Sequence, residues 1–416
     1  LNTEPYFLTD PATPVYHWTQ FEDKQGNNLA NQHELSDVVT PLYGLDPKGI
    51  RDWNEEFQVV RSFPKDTVGQ RAQRDRAIAK IYNDFLVAAT EGAKAIINGN
   101  LTSLNPTEGK FQQVYVYNYI FFSFALDVVE NFKDLSTLES NPSWTQANHD
   151  MTGLKSLQLL EIDGLCYLAT SIVNYKGHRV IAQSIIPGIL NNSDLSSLAE
   201  YGTVDEQKTI RSNPEFHEMM KQVCEKMHIQ LNKLIDDEGK EVEVAGCVEI
   251  KGIRGTDKRC YIVDLQGMTP RDANYLGDQN HTALVRQELL ILYQRYRTLE
   301  HAKSKMEPFE KEVDAERDAK IPKAEEGKEL TDEQKKDVEK LNQEYSLKKI
   351  KQFEAFMKEP KSLVFNTNVF KKVSLAMTES EIKTEEDKVK DLSKYLKENA
   401  VTNLIKNMQK NEGVPT

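Results

Sequence analysis

Two stretches of this chain each pair β-rich runs across a short turn signal, and nothing else in the sequence restricts the fold as much. Residues 165–174 and 179–186 flank Tyr175-Lys176-Gly177-His178. Residues 242–253 and 259–265 flank Gly255-Thr256-Asp257-Lys258. Val248, Ile250, Tyr261 and Val263 follow the period-two spacing of half-buried strands. Hairpins need a partner to cover their apolar face. The expectation is therefore an α+β fold, in which a mixed or antiparallel sheet built from the two hairpins is flanked by helices. Ile172, Val180, Ile250 and either Tyr261 or Val263 are expected in one core.

The flanking helices have their own signals. Over 67–98, Ile78, Ile81, Tyr82, Phe85, Ala89, Ala93 and Ile96 recur at helical spacing, with Thr67 able to cap the start and Gly99 past the end. Residues 214–227 read as a second helix. Residues 111–126 are dense in Phe and Tyr and contain no Gly or Pro, which predicts a buried helix. Residues 1–60 read as a loop-rich entry segment, with one strand-like run at 15–19 and turns over 44–53. Residues 283–358 read as helix interrupted at Pro308 and Pro322. The expected division is 1–60, a core over 61–300, a charged helical connector over 301–360 and a C-terminal helical segment over 361–416.

Charge and composition narrow the function classes. The formal net charge is −12, and because residues 301–416 balance 24 Lys+Arg against 24 Asp+Glu, all of the excess lies in the first 300 residues. Such a field repels polyanions, so any nucleic-acid contact must be local. Loop-tip and helix-start cations supply the candidates: Arg71, Arg74, Lys176, Arg179, Lys251, Arg254, Lys258 and Arg259. Arg271 adds to the basic character further on. Gly252-Ile253-Arg254-Gly255 has the spacing of a backbone-clamping loop, but it lies between strands rather than helices and reads as a hairpin turn. Asp264, at a strand end, is placed to pair with Lys251.

No phosphate-binding glycine loop, nucleophile elbow or H-E-x-x-H is present, so no catalytic residue, cofactor or metal is assigned. Cys166, Cys224, Cys247 and Cys260 form no C-x-x-C pair and suit free thiols in a reducing compartment. No run of eighteen apolar residues argues for membrane insertion. Three readings follow from different classes: an RNA- and translation-associated scaffold, a protein-binding spacer without RNA contact, and a degenerate phosphotransferase-like module.

Several strings together resemble one family. They are Arg51-Asp52-Trp53-Asn54-Glu55-Glu56, Arg76-Ala77-Ile78, Asn118-Tyr119-Ile120-Phe121-Phe122-Ser123, the stretch YKGHRVIAQSIIPG over 175–188, VEIKGIRGTDKRCYIVD over 248–264, and FNTNVF over 365–370. The chain resembles the CLU domain of clustered mitochondria proteins from about Val15 onward. The resemblance implies a large cytoplasmic, non-enzymatic protein. Such a protein binds mRNA for mitochondrial proteins, works with the ribosome or translation initiation factors, and keeps mitochondria evenly distributed. Self-association is a further expectation. The family's ubiquitin-like domain and tetratricopeptide repeats are not visible, so the chain is expected to be a middle portion. The family supplies no catalytic residues to carry over.

Overall fold

The computed structural model describes residues 51–125, 142–191, 198–204, 209–277, 280, 282–321, 332–359, 363–371 and 373–410. The strand-like run at 15–19 and Pro322 lie outside the described residues. The chain forms two compact units, residues 1–284 with 366–386 and residues 285–365 with 387–416.

The first unit is α+β, as the sequence predicts. Helix α1, Trp53–Arg61, occupies the end of the segment read as loop-rich over 1–60, whose residues 1–50 lie outside the described residues. The Asp52 side chain accepts from the Glu55 amide, Glu55 and Glu56 suit the positive helix start, and Trp53, Phe57 and Val60 recur at helical spacing. Helix α2, Val68–Ile97, starts on a reciprocal Thr67–Gln70 capping box. Its face of Phe85, Ala89, Ala93 and Ile96 is buried.

That face packs on a four-stranded antiparallel sheet ordered β1-β2-β5-β4. Its strands are β1 Val114–Tyr117, β2 Ile120–Phe124, β4 Thr170–Tyr175 and β5 His178–Ser184. The first two replace the helix predicted over 111–126. Asn118 and Tyr119 both take positive φ, at 49° and 59°, which makes a two-residue turn matched to strand twist. Alternate residues Ile120, Phe122 and Phe124 are buried, and a Cβ on Gly92 of α2 would run into the Phe122 ring.

The second predicted hairpin lies in a different sheet, of order β3-β11-β10-β6-β7. It combines β3 Leu165–Cys166, β6 Ala199–Val204, β7 Thr209–Arg211, β10 Lys251–Arg254 and β11 Cys260–Val263. Two sheets therefore replace the one expected. The early part of the predicted run, Glu241–Ala245, is β9, which pairs with β8, Leu231–Ile235, instead. Val180 and Ile250 share one core. Tyr261 joins Leu168, Ile186 and Ile253 in a separate cluster, and Ile172 is half-buried. Helix α4, Pro214–Met227, covers the second sheet by stacking Phe216 on Tyr201, with ring centres 6.1 Å apart. Gly202 has φ +90°, and a Cβ there would strike the Ile250 carbonyl, so only glycine fits.

Between β2 and β4 in sequence, helix α3, Pro142–Leu160, packs on the short 3-10 turn Leu265–Gly267 that follows β11. A Cβ at Gly153 would meet the Leu265 backbone, which sets how closely they approach. Asn366 to Lys371 thread into this unit. Asn368 Oδ1 accepts from the Val248 amide at 2.9 Å, and Lys371 pairs with Glu249 at 2.8 Å.

The second unit is helical. Helix α5, Gln287–Lys320, passes through Pro308 without interruption and pairs with α6, Asp332–Lys358. This corrects the expected break. The hydrogen bond that Pro308 removes is outweighed by the long partner helix, with Ala302, Met306 and Phe356 buried together and Lys349 on Asp314 at 2.8 Å. Helix α7, Glu379–Tyr395, begins in the first unit, and its residues from 387 run on through a π turn into α8, Val401–Lys410. Tyr395 packs against Tyr296, with ring centres 4.7 Å apart.

Candidate functional site

The eight candidate cations divide by what holds them. On the β10–β11 hairpin, Arg254 is clamped by Glu200 of β6 at 3.1 Å and by Glu215 of α4 at 2.9 Å. Arg259 bonds Glu55 of α1 and lies 3.2 Å from Asp257, whose side chain is 7% exposed. The Arg259 guanidinium in turn holds the Glu55 carboxyl below its ordinary range. At the hairpin's base, Lys251 pairs with Asp264 at 2.5 Å, the pairing expected from sequence. Arg74 is itself buried and paired with Glu161 and Asp75. Only Lys258 of the β10–β11 cations is exposed, with no side-chain partner among the described residues.

These pairs explain the sequence string at 51–56. Arg51 bonds Glu56 and Asp84 and lies over the Trp53 ring at 4.2 Å. Trp53 Nε1 donates to the Asn118 carbonyl at 2.7 Å. Asn54 donates to the Tyr261 hydroxyl at 2.7 Å, and that hydroxyl donates to Asp257 at 2.6 Å. Gln58 and Arg61 extend the network to the Tyr167 and Leu165 carbonyls. The string is thus a device for docking α1 on β11. Buried polar groups of this kind hold position because each is satisfied.

The β4–β5 hairpin end is different. Lys176, in the left-handed region at φ 46°, is exposed and donates to the Asn98 side chain at 2.7 Å. It lies 5.2 Å from the centre of the Tyr175 ring, and Lys94 of α2 lies 6.0 Å from the same ring. The exposed Phe111 ring packs on His178 at 5.4 Å. On the other face of the hairpin, Arg179 covers the Trp144 ring at 4.8 Å and donates only to neutral groups, the Trp144 carbonyl and the Asn148 and Asn174 side chains. Among the described residues no carboxylate pairs with Lys94, Lys176 or Arg179. Cations beside aromatic rings are the elements of a single-strand nucleic-acid surface.

Arg71, on the exposed first turn of α2, donates to the Lys65 and Asp66 carbonyls. Arg74 and Arg259 also line one groove of about 710 Å³, together with Arg61 and Lys65. Sequence reading missed Lys94, Phe111 and Trp144. The Phe111 run was read as core, and Lys94 and Trp144 carry no local signal for a hairpin tip distant in sequence. Arg271 is buried and bonds the Phe370 and Asn280 carbonyls, so it is structural.

Among the described residues, no group of three His, Cys, Asp or Glu could hold a metal ion, and no helix is long and apolar enough to cross a membrane.

The family model described as "Clustered mitochondria" matches residues 52–275. A clustered mitochondria protein homolog of Dictyostelium discoideum is 31% identical over 97% of this chain and 31% of its own length. The Arabidopsis thaliana clustered mitochondria protein is 33% identical over 86% of this chain and 29% of its own. The Homo sapiens homolog is 37% identical over 64% of this chain and 20% of its own. The chain therefore spans about a fifth to a third of the length of the curated relatives it matches. No solved structure matches it.

Proposed function

The chain belongs to the clustered mitochondria family, and from that premise we propose that it is a non-enzymatic scaffold portion of a cytoplasmic protein that contacts mRNA and serves mitochondrial distribution. Its partners on this reading are mRNA and the ribosome or translation initiation factors. The observation that carries RNA contact is the β4–β5 hairpin end, where among the described residues Lys94, Lys176 and Arg179 have no carboxylate partner and sit beside Tyr175 and Trp144, with the exposed Phe111 ring packed on His178. The hairpin's turn and its second strand stand inside the stretch 175–188, which also carries the family resemblance. The net charge of −12 opposes polyanions, so the expected affinity is modest and strongly salt-dependent.

Fluorescence anisotropy with a labelled single-stranded RNA checks this reading. Lys94→Glu with Lys176→Glu should weaken binding at low salt about tenfold or more. The slope of log K against log salt should become shallower by about 0.7 for each phosphate contact removed. Equal binding by this double variant and the parent chain would remove the hairpin from the interface. If the parent chain binds no RNA at low salt, the protein-binding spacer reading replaces this one.

A further inference from the structure

The largely apolar space between the two sheets has a separate chemistry. The β-pleat sends Ile120, Phe122, Val180 and Ala182 toward α2, which leaves Phe121, Ser123, Ile181 and Gln183 on the opposite face. That face, the Lys251, Ile253 and Val263 side of the second sheet, and α3 border a half-open cavity of about 630 Å³. This size lies within the usual range for small-ligand pockets, roughly 300–1,000 Å³. Among the described residues, three ionisable side chains line it: Lys251, Asp264 and Asp150. Lys251 is already matched by Asp264. Asp264 holds its place with φ 62°, a left-handed conformation at the cavity wall. One oxygen of Asp150 accepts from the Leu265 amide at 2.8 Å, and its other oxygen has no hydrogen-bond partner among the described residues.

We propose that this cavity is a binding site for small amphiphiles with an apolar body and a protonated amine head, the amine seated on the open oxygen of Asp150. The apolar walls take the body. The sign of the head follows from charge: among the described residues the one cation lining the cavity is neutralised by Asp264, so an anion would meet Asp150 unbalanced, whereas an ammonium completes the set. Burial, with Asp264 nearby, raises the Asp150 carboxyl to about 6. A bound ammonium favours its ionised form, so binding weakens as pH falls below that value. This site is independent of the RNA reading, shares no residue with the β4–β5 hairpin end, and stands or falls separately.

Titration calorimetry of the whole chain with octylamine, octan-1-ol and octanoate provides the test. At pH 7.5 octylamine should bind at least tenfold more tightly than octanoate, with the alcohol between. Its affinity should fall about tenfold by pH 5, in proportion to the ionised fraction of Asp150. Asp150→Asn, whose amide oxygen can still accept from Leu265, should bring the amine down to the level of the alcohol. Ile181→Trp should fill the cavity and remove binding of all three. Octanoate binding as tightly as octylamine would overturn the proposal, as would no saturable binding of any probe. So would an Asp150→Asn protein that folds and keeps the full preference for the amine, a readout that stands even if Ile181→Trp does not fold.

Discussion

The β4–β5 and β10–β11 hairpins both turn through a lysine held in the left-handed region, Lys176 at φ 46° and Lys258 at φ 65°. Both are rich in cations. On β10–β11 the arginines are met by carboxylates from three other elements: Glu55 of α1, Glu200 of β6 and Glu215 of α4. At the β4–β5 end, Arg179 and Lys176 find, among the described residues, only carbonyls, amides and rings. The same residue types therefore do opposite work. One hairpin spends its charge on internal docking, and the other leaves it for solvent or a partner. A cation in a sequence becomes a binding group only when no distant carboxylate arrives to claim it.

Arg259→Ala should break the first half of the comparison with the largest effect. It leaves Glu55 and the buried Asp257 without their cation and loosens the Tyr261–Asn54 chain behind them. Removing one partner of a buried pair costs about 3–5 kcal/mol. Because the Glu55 side chain is 45% exposed, the expected loss is nearer 2–4 kcal/mol. Urea denaturation measures it, and a loss below about 1 kcal/mol would show that the network does not hold α1 in place. The sign with pH follows. The Glu55 and Glu161 carboxyls are held below 4.5 by Arg259 and Arg74. Their contribution is present above that value and is lost as pH falls through the lowered one.

The base of the same hairpin sharpens the contrast, because there a half-buried carboxylate, Asp150, forms no ion pair among the described residues. Asp150 is raised from 3.8 to about 6 by burial and by Asp264. Its protonated form is the one the fold favours, so stability declines as pH rises from 3.8 through about 6, and the cost is complete above that. A difference of this size corresponds to roughly 3 kcal/mol at neutral pH. Asp150→Asn should therefore raise stability at pH 7.5 by about 1–3 kcal/mol and change little at pH 4. Thermal unfolding at the two pH values separates this from a general packing effect, which would act equally at both.

Legibility in the sequence followed the range of the interaction. Val68–Ile97 and Pro214–Met227 were readable because caps and apolar spacing are local: the Thr67–Gln70 box opens one, and His228 at φ 58° closes the other. The pairing of Lys251 with Asp264 was readable because a hairpin brings positions 13 apart side by side. The run over 111–126 misled because Asn118 and Tyr119 make the turn that a glycine would ordinarily signal. The sorting of the cations was hidden because Glu55 reaches Arg259 across 204 positions and Lys94 reaches Tyr175 across the fold. The cavity was hidden for the same reason: Asp150, Ile181 and Lys251 come from three separate elements.

The smallest expected effect is the one that most directly tests the comparison. Lys258→Glu and Lys176→Glu each change a left-handed, exposed hairpin lysine whose side chain forms no ion pair among the described residues. Exposed charges of this kind contribute little to stability, so each variant should unfold within about 0.5 kcal/mol of the parent. Their effects on RNA should differ. Lys258 is set among arginines already neutralised by Glu200, Glu215 and Glu55, so an added acid there changes a surface with little free positive charge. Lys176 shares the Tyr175 ring with Lys94, and reversing it removes a cation that no carboxylate pairs with among the described residues. Lys176→Glu should weaken RNA binding several-fold, whereas Lys258→Glu should leave it within about twofold at the same salt concentration. Equal losses in the two variants would mean that RNA senses only the overall −12 charge and that the sorting of cations between the hairpins has no bearing on binding.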